Sequence, residues 1–448
     1  MPFGERRPFE WEDLRDEKKL GNVNRAAGRA RPANGLGLSP DGRLLLATRI
    51  ARLFAYGFLS VVLALYLAQV GLDERQIGLL LTLTLAGDTG ISLWITTQAD
   101  RIGRRRMLLA GAGLMVFAGA LFAVTANFYL LLFAATVGVI SPSGNEVGPF
   151  LSIEQATLSQ LLPGPSRTRV FAWYNLVGSF ATALGALAGG GLAQALQSAG
   201  AAPLASYRTV VLGYAALGFV LLGLFTRLSP VAEVAASPGP APEQPAGGFL
   251  GLHRSRSTVF RLAVLFSLDA FAGGFVIQSL VAYWFHVRFG VEPGVLGSIF
   301  FGANILAGIS ALSAAWVANR IGLINTMVFT HLPSNVLLML VPLMPSLPLA
   351  IAVLLLRFSI SQMDVPTRQS YTMAVVAPDE RSAASGVTGI ARTIGASLAP
   401  VFTGVMLANP ALLSLPFFLS GGLKIVYDLA LYRSFKSHHP PEEQEISS

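Results

Sequence analysis

The segment that decides the fold occurs twice in the chain. Between two apolar stretches the sequence reads Asp100-Arg101-Ile102-Gly103-Arg104-Arg105-Arg106, and 219 residues later it reads Asn319-Arg320-Ile321-Gly322-Leu323. The same offset relates Gly71 to Gly290. One such match could arise by chance, but a register shared by several elements indicates an internal duplication.

Farther along the chain the register changes. Gln155 and Arg167 match Gln369 and Arg381 at an offset of 214 residues. The difference predicts five extra residues in the first copy. We expect them at 141–149, where proline and glycine recur.

The composition excludes most classes of soluble protein. Of the 448 residues, 53% are apolar and 12% are charged, whereas about 25% of the residues in a soluble domain are charged. A soluble enzyme, a disulfide-stapled secreted domain and a disordered chain are therefore excluded. The chain has no cysteine, so a disulfide framework and a Cys-ligated metal site are excluded as well. The composition indicates an all-α, polytopic membrane protein.

Twelve apolar stretches are long enough to cross a bilayer as helices. They are 46–70, 76–98, 106–125, 128–161, 168–197, 207–227, 259–287, 293–318, 324–342, 347–375, 383–408 and 411–432. Residues 228–258 are rich in proline, which predicts a linker. We therefore expect two pseudo-symmetric six-helix bundles at 43–227 and 259–433, with a disordered cytoplasmic tail at 1–42 and a cytoplasmic tail at 434–448.

Lys and Arg are unevenly distributed between alternate loops. With the N-terminus in the cytoplasm, the opposite loops hold little more than Arg75, Arg208 and Arg288. An excess of Lys and Arg marks cytoplasmic loops, so we expect both termini in the cytoplasm and the chain in the cell (plasma or inner) membrane. The net charge of +8 then reflects topology and not nucleic-acid binding.

The segment 100–106 resembles the loop signature of the major facilitator superfamily (MFS), in which an acidic residue and arginine precede glycine and further basic residues. The twelve spans, the central linker and the weaker copy at 319–323 fit the same family. The family pattern usually has glycine four residues before the acid, where this chain has Thr96. The resemblance implies a secondary transporter that works by rocking of its two halves.

The resemblance also implies a conformational latch at this loop. In the family, the acid contacts the start of a helix in the other half, so Asp100 is expected at the positive end of the eleventh span. Gly103 permits the tight turn, and Arg101 and Arg104 complete the motif. For the arginines, a purely topological role is the alternative.

The fifth and eleventh spans are rich in glycine. Residues such as Gly185, Gly189 and Gly190 resemble the fifth-span motif associated with proton-driven antiporters, although its proline is missing here and Pro400 occupies a comparable place in the eleventh span. Ordinary small-residue packing is the alternative. Only this pattern favours antiport over symport.

Ionisable residues inside the bilayer are costly and therefore tend to be functional. Asp88 and Asp269 lie about 18 Å and about 15 Å along their spans at 1.5 Å per residue. Glu146 lies in the proline- and glycine-broken middle of the fourth span, where irregular backbone is tolerated if it lines a cavity. We expect Glu146 or Asp88 to take up a proton.

The tenth span carries three further charges. Arg357 and Asp364 are two turns apart on one face, and Asp364 and Arg368 are spaced to pair, although Pro366 could disturb that pair. We expect Arg357 to contact an anionic part of the substrate. The alternative is a static buried pair of Arg357 with Glu146 or Asp88.

Other charged residues are interpreted structurally. Arg49 and Arg52 are expected to mark the membrane interface, although Arg52 could face the cavity. Lys424 and Asp428 are expected to form a snorkelling pair. His331 is expected to be a satisfied structural histidine.

The sequence predicts a non-enzymatic, monomeric secondary transporter of a small organic solute. Proton-coupled export by antiport is the first expectation, and proton-coupled uptake by symport is the alternative. A non-transporting receptor or scaffold and a lipid flippase are rivals from other classes. The sequence contains no ATP-binding motif and no metal-ligand cluster, so no cofactor is expected.

Overall fold

The computed structural model describes residues 38–162, 164–233 and 252–436, and within them it does not describe the side chains of Asp100, of residues 164–169 or of Pro378. The expected tails 1–42 and 434–448 and the expected linker 228–258 therefore lie largely outside the described residues. The described residues form helices joined by short loops.

The first half contains six spans, which are numbered in chain order. They are span 1 (Pro40–Ser60 and Leu63–Val70), span 2 (Glu74–Ile102), span 3 (Arg104–Val124), span 4 (Phe128–Val137 and Phe150–Leu161), span 5 (Gly164–Ser198) and span 6 (Pro203–Phe225).

The second half repeats this arrangement. It contains span 7 (Arg256–Gly274 and Gln278–Phe289), span 8 (Pro293–Ile321), span 9 (Leu323–Leu340), span 10 (Leu347–Ile360 and Asp364–Ala374), span 11 (Arg381–Leu407) and span 12 (Leu415–Phe435). Among the described residues, ten helices are long and apolar enough to cross a membrane, and span 1, bent by 47°, makes an eleventh. Span 4 completes the twelve in two shorter pieces.

Spans 2 and 8 carry the register of the sequence repeat. Each is 29 residues long, and their first residues, Glu74 and Pro293, are 219 positions apart. Each ends at a glycine with positive φ, which is 112° at Gly103 and 86° at Gly322. The duplication inferred from residues 100–106 therefore corresponds to equivalent helices.

The change of register lies at a break in span 4. The first pieces of spans 4 and 10 begin at Phe128 and Leu347, which are 219 positions apart, and the second pieces begin at Phe150 and Asp364, which are 214 apart. Twelve residues, 138–149, separate the two helices of span 4, whereas three separate those of span 10. The first helix of span 10 is four residues longer, 14 against 10, so the net difference is five. The five extra residues thus belong to a non-helical segment that includes the predicted 141–149.

Glycines set the contacts of spans 5 and 2 with their neighbours. A Cβ atom at Gly185 or Gly189 would lie 2.0 Å from a backbone oxygen of span 1, and a Cβ at Gly190 would lie 2.3 Å from the carbonyl oxygen of Pro293 in span 8. A Cβ at Gly78 of span 2 would lie 2.5 Å from the carbonyl oxygen of Pro400 in span 11. These glycines let helix backbones touch, as the packing alternative expects.

The two halves contact each other at the end of the molecule where span 2 begins. The backbone N–H of Val401 donates to Thr82 Oγ1 at 2.9 Å, and the Tyr283 hydroxyl donates to Glu74 at 2.8 Å. The Gln278 side chain donates to Ser60 Oγ at 2.8 Å. We call this end the closed end.

The same helix faces are exposed at the opposite end. Gly78, Thr82, Ala86 and Gly90 follow one another at intervals of four residues, on a face that turns gradually around span 2. That face packs at Gly78 but is exposed at Ala86 and Gly90. In span 11, a Cβ at Gly389 would meet no described atom within 4 Å. The close backbone contacts of spans 2 and 11 thus lie at the closed end, and we call the opposite end, near residues 100–106, the open end.

Candidate transport site

Arg52 of span 1 connects the break in span 4 to the second helix of that span. Its side chain is completely buried. Its Nη1 and Nη2 atoms donate to the two carboxylate oxygens of Glu154 at 2.7 and 2.8 Å, and its Nε donates to Glu146 Oε1 at 2.7 Å. Two-pronged pairing of this kind is the strongest geometry for arginine and carboxylate. One guanidinium therefore holds a carboxylate of the break and a carboxylate of the second helix.

Arg49 lies one turn before Arg52 and adds a second positive charge. It pairs with the other oxygen of Glu146, and its guanidinium lies 4.2 Å from the centroid of the Tyr174 ring. The Tyr174 hydroxyl donates to Glu154, which is fully buried. Glu146 keeps 13% of its side chain exposed, so it is the accessible carboxylate of this cluster.

One alternative and one expectation about these residues are wrong. Glu146 pairs with Arg49 and Arg52 and not with Arg357. Arg49 and Arg52 are buried ion-pair partners and do not mark the membrane interface. The physical reason is that the non-helical chain at 138–149 directs Glu146 toward span 1 of its own half. The sequence did contain a signal for these buried pairs, because Arg49 and Arg52 lie three residues apart within an apolar span.

Glu154 was not identified as a site residue from the sequence, because residues 128–161 were treated as a single span with a broken middle. In such a stretch Glu154 falls near the cytoplasmic end, where a charge needs no special explanation. The break instead starts a new helix at Phe150, and Glu154 lies in its second turn, facing Arg52.

Asp88 borders the same cluster from span 2. It is half-buried and accepts a hydrogen bond from the Ser92 hydroxyl at 3.4 Å. It also lies against the backbone N–H of Gly148 and within electrostatic range of Glu146. The structure thus brings Asp88 and Glu146 together, but it does not bring Arg357 to either one by any described hydrogen bond or ion pair.

A second cluster surrounds Asp269 in the other half. Asp269 Oδ1 lies 2.5 Å from Lys424 Nζ, and Asp269 Oδ2 lies 3.1 Å from Arg368 Nη1. Arg368 also pairs with Asp364 at 3.0 Å, as its spacing predicts. Pro366 does not disturb this pair, because the helix restarts at Asp364 and the proline lies in the first turn, where its missing N–H costs nothing.

The expected pair of Lys424 with Asp428 does not form. Lys424 bonds Asp269, whereas Asp428 accepts from Asn335 at 2.9 Å and lies 2.9 Å from His331 Nδ1. These groups are buried, so their charges are neutralised inside the bundle and do not snorkel. The histidine is a partnered, buried residue, in agreement with the structural interpretation.

Two arginines beside this cluster have no hydrogen-bonding partner for Nε. They are Arg357 of span 10 and Arg392 of span 11, and both are half-buried. Each lies within electrostatic range of Asp269 and Asp364. The sequence reasoning singled out Arg357 but overlooked Arg392, although an arginine in the middle of an apolar span was a sufficient signal.

The loop at 100–106 is held by an acidic residue from the end of the first half. The carboxylate of Glu233 accepts from the backbone N–H groups of Arg104 and Arg105 at 2.7 and 3.1 Å, and so it caps the start of span 3. The Asp100 side chain lies outside the described residues. The latch of Asp100, Arg101, Gly103 and Arg104 against span 11 therefore stays a prediction.

The described residues thus form two six-span halves that contact each other at the closed end, and each half contains a cluster of buried, paired charges. No group of three or more His, Asp or Glu residues in the described part of the chain could hold a metal ion. This combination defines a polytopic transporter.

Comparisons with known proteins agree with this class. Residues 45–440 match the profile of the Major Facilitator Superfamily, and the chain belongs to that family. It is 33% identical over 421 residues to the uncharacterized membrane protein YJR124C of Saccharomyces cerevisiae, covering 88% of this chain and 93% of the yeast protein.

Solved structures show the same fold at low sequence identity. A bacterial homologue of the human lysosomal transporter Spinster, in an inward-facing and unoccupied conformation, is 18% identical with a TM-score of 0.65, covering 89% of this chain and 96% of that one. A D-xylose–proton symporter is 15% identical with a TM-score of 0.66, covering 88% and 97%. The fold is thus a multi-pass MFS transporter fold.

Proposed function

We propose that the protein is a proton-coupled secondary transporter of a small organic solute and that Glu146 takes up the proton. The observation that carries this proposal is the ion pairing of a partly exposed carboxylate, Glu146, with Arg49 and Arg52 in the irregular middle of span 4. A buried ion pair in such a place is expensive to maintain for stability alone.

Alternating access gives this pairing a role in coupling. Span 1 and the break in span 4 both contact span 7 of the other half: Ser60 accepts from Gln278, and the Pro142 carbonyl accepts from the Ser279 N–H at 3.1 Å. Both contacts would break when the closed end opens, and loss of the Pro142 contact would free the break that carries Glu146 to move relative to span 1. A carboxylate that holds its arginines in one conformation and loses them in the other binds a proton only in the second.

We propose symport as the direction of coupling, ahead of antiport. The glycines of span 5 that favoured antiport make backbone contacts with spans 1 and 8, which accounts for them without any coupling role. Protonation of Glu146 would instead release Arg49 and leave a positive charge for a solute. We therefore place symport ahead of antiport. The glycine pattern of span 5 is the only support for antiport.

We further propose that the closed end is extracellular and the open end cytoplasmic, in the plasma or inner membrane. The support is the basic segment 100–106 at the open end, since Lys and Arg collect on the cytoplasmic side. The family similarities favour transport over a receptor or scaffold role.

The test uses purified protein in liposomes that contain a proton-sensitive dye, with a panel of organic anions, cations and neutral solutes. We expect at least one solute to carry protons in its own direction. Glu146→Gln should abolish proton movement and leave the folded yield unchanged.

Two matched variants control this experiment. Glu292→Gln removes an exposed carboxylate at the start of span 8 and should leave proton movement intact. Asp88→Asn tests the neighbouring carboxyl, and loss of coupling in Asp88→Asn but not in Glu146→Gln would reassign the proton site. Solute flux without any proton movement in the wild type would refute coupling.

A further inference from the structure

We infer that the transported solute is an organic anion, whose negative charge is held by Arg357 and Arg392 of the second half. This inference rests on the proposed transport function and names the substrate class. Neither residue has a described hydrogen bond or ion pair, although both Nε atoms are shielded from solvent. An anion bound at such an arginine would offset the desolvation of its charge.

The carboxylates nearby are already engaged by other groups. Asp269 bonds Lys424 and Arg368, and Asp364 bonds Arg368. Asp428 bonds His331 and Asn335. The field of Asp269 and Asp364 reaches both Arg357 and Arg392, but their oxygens are bound elsewhere. Two guanidinium groups are therefore left beside one cluster with no carboxylate of their own.

The first half shows what partnered arginines look like in the same protein. Arg49 and Arg52 share Glu146 and Glu154, and their guanidinium groups lie over the rings of Tyr174 and Phe150. Positive charge is thus matched by negative charge in that cluster. The two halves share a fold, but among the described residues of the two clusters only the second half has arginines without a carboxylate partner. The fold alone therefore does not explain the unpaired positive charge.

The positions of the two arginines suit a ligand entering from the open end. Arg392 lies three residues, about one turn, from Gly389, beside which a Cβ atom would meet no described neighbour within 4 Å. Arg357 lies on the first helix of span 10, and its guanidinium lies 4.9 Å from the centroid of the Phe358 ring. A guanidinium binds carboxylate or phosphate groups in a planar, two-pronged manner, so these are the expected substrate groups.

The test measures thermal unfolding of the full-length protein in detergent with benzoate, phthalate, citrate or inorganic phosphate at millimolar concentration. Benzamide and phthalamide serve as uncharged matches. We expect at least one anion to raise the midpoint when its amide does not. Arg357→Gln and Arg392→Gln should each weaken that binding about 10-fold or more.

Two further variants complete the design. Arg288→Gln removes an exposed arginine at the closed end and should change the affinity less than about 2-fold. Arg392→Lys should retain part of the binding, because it keeps the charge but not the planar fork.

The outcomes separate this inference from the proposed function. The inference is overturned if no anion raises the midpoint, or if benzoate and phthalate do no more than their amides while citrate and phosphate have no effect. Proton-coupled flux of a neutral or cationic solute that is unaffected by both arginine substitutions overturns the inference and leaves the transport function standing. Anion flux that depends on both arginines without any proton movement sustains the inference and refutes the coupling.

Discussion

Glu154 and Arg368 occupy equivalent positions in the two halves, 214 residues apart in the internal repeat, and carry opposite charges. Each forms an ion pair with the first span of its own half. Glu154 pairs with Arg52 of span 1, and Arg368 pairs with Asp269 of span 7. The two halves therefore share a buried ion pair between equivalent helices, with the signs exchanged. This relationship indicates that an ion pair between these two helices is needed in each half, whichever helix carries the positive charge.

The first prediction concerns that pair. Arg52→Met and Glu154→Leu should each destabilise the protein by about 3–5 kcal/mol, because each leaves an uncompensated buried charge. The double variant should be more stable than either single variant, since both charges leave together. Thermal and chemical unfolding in detergent measure the three changes.

An exposed pair on the same protein is the control. Arg254 and Asp379 are 3.2 Å apart, with side chains 70% and 44% exposed. Breaking it with Arg254→Met should cost less than about 1 kcal/mol. Strictly additive losses in the Arg52 and Glu154 double variant would contradict the interpretation of the buried pair.

The second prediction uses the absence of native cysteines. Thr82→Cys with Val401→Cys should form a disulfide on oxidation, because the Val401 N–H reaches the Thr82 side chain at 2.9 Å. The cross-link should stop transport by holding the closed end shut, and reductant should restore it. Each single cysteine variant, oxidised in the same way, should stay active. Full transport by the cross-linked double variant would show that this end need not open.

The third prediction compares two adjacent glycines of span 5. A Cβ at Gly190 would lie 2.3 Å from the Pro293 carbonyl oxygen, whereas a Cβ at Gly191 would meet nothing described within 4 Å. Gly190→Ala should therefore force spans 5 and 8 apart and lower the transport rate, while Gly191→Ala should be neutral. Initial rates in liposomes measure both variants, and equal rates would contradict the tight contact.

The fourth prediction is a pH dependence outside the membrane-spanning segments. Desolvation raises the pKa of Glu380, but backbone N–H groups of His253, Arg254 and Ser255 donate to its carboxylate, and the resulting pKa is about 2. Because this pKa is lower in the folded protein than its ordinary value of 4.5, the stabilisation is complete above pH 4.5. It is lost as the pH falls toward 2.

Glu380→Gln tests this dependence. The variant should be less stable than the wild type at pH 7, and the difference in melting temperature should shrink as the pH falls below 4.5. The nearby exposed Asp379→Asn is the comparison. A difference that is constant from pH 7 to pH 3 would contradict the role of the ionised carboxylate.

The sequence predicted the fold well because bilayer thickness and duplication leave long, regular signals. Apolar length indicated the spans, and the changed offset indicated the insertion that becomes the 138–149 break. Glu146, Asp269 and Asp364 could be singled out as candidates because charge inside an apolar span is rare. The pairing of Asp364 with Arg368 followed from helix geometry alone.

The partners of the other charges could not be predicted in the same way. Which arginine meets Glu146 depends on where twelve non-helical residues lead the chain, and no periodicity describes that path. Lys424 faces Asp269 and not Asp428 because of how span 12 is rotated against span 7. Such choices are made by tertiary packing, and a spacing of four residues does not decide them.

The break in span 4 has a consequence for how this transporter should be studied. Its main chain, and not only its side chains, faces other groups: the Pro142 carbonyl accepts from Ser279, the Val147 carbonyl accepts from Tyr56 at 3.0 Å, and the Gly148 N–H faces Asp88. Alanine scanning leaves all of these peptide groups in place and would overlook them. Replacing single amide linkages by esters across 138–149 would reveal their contribution.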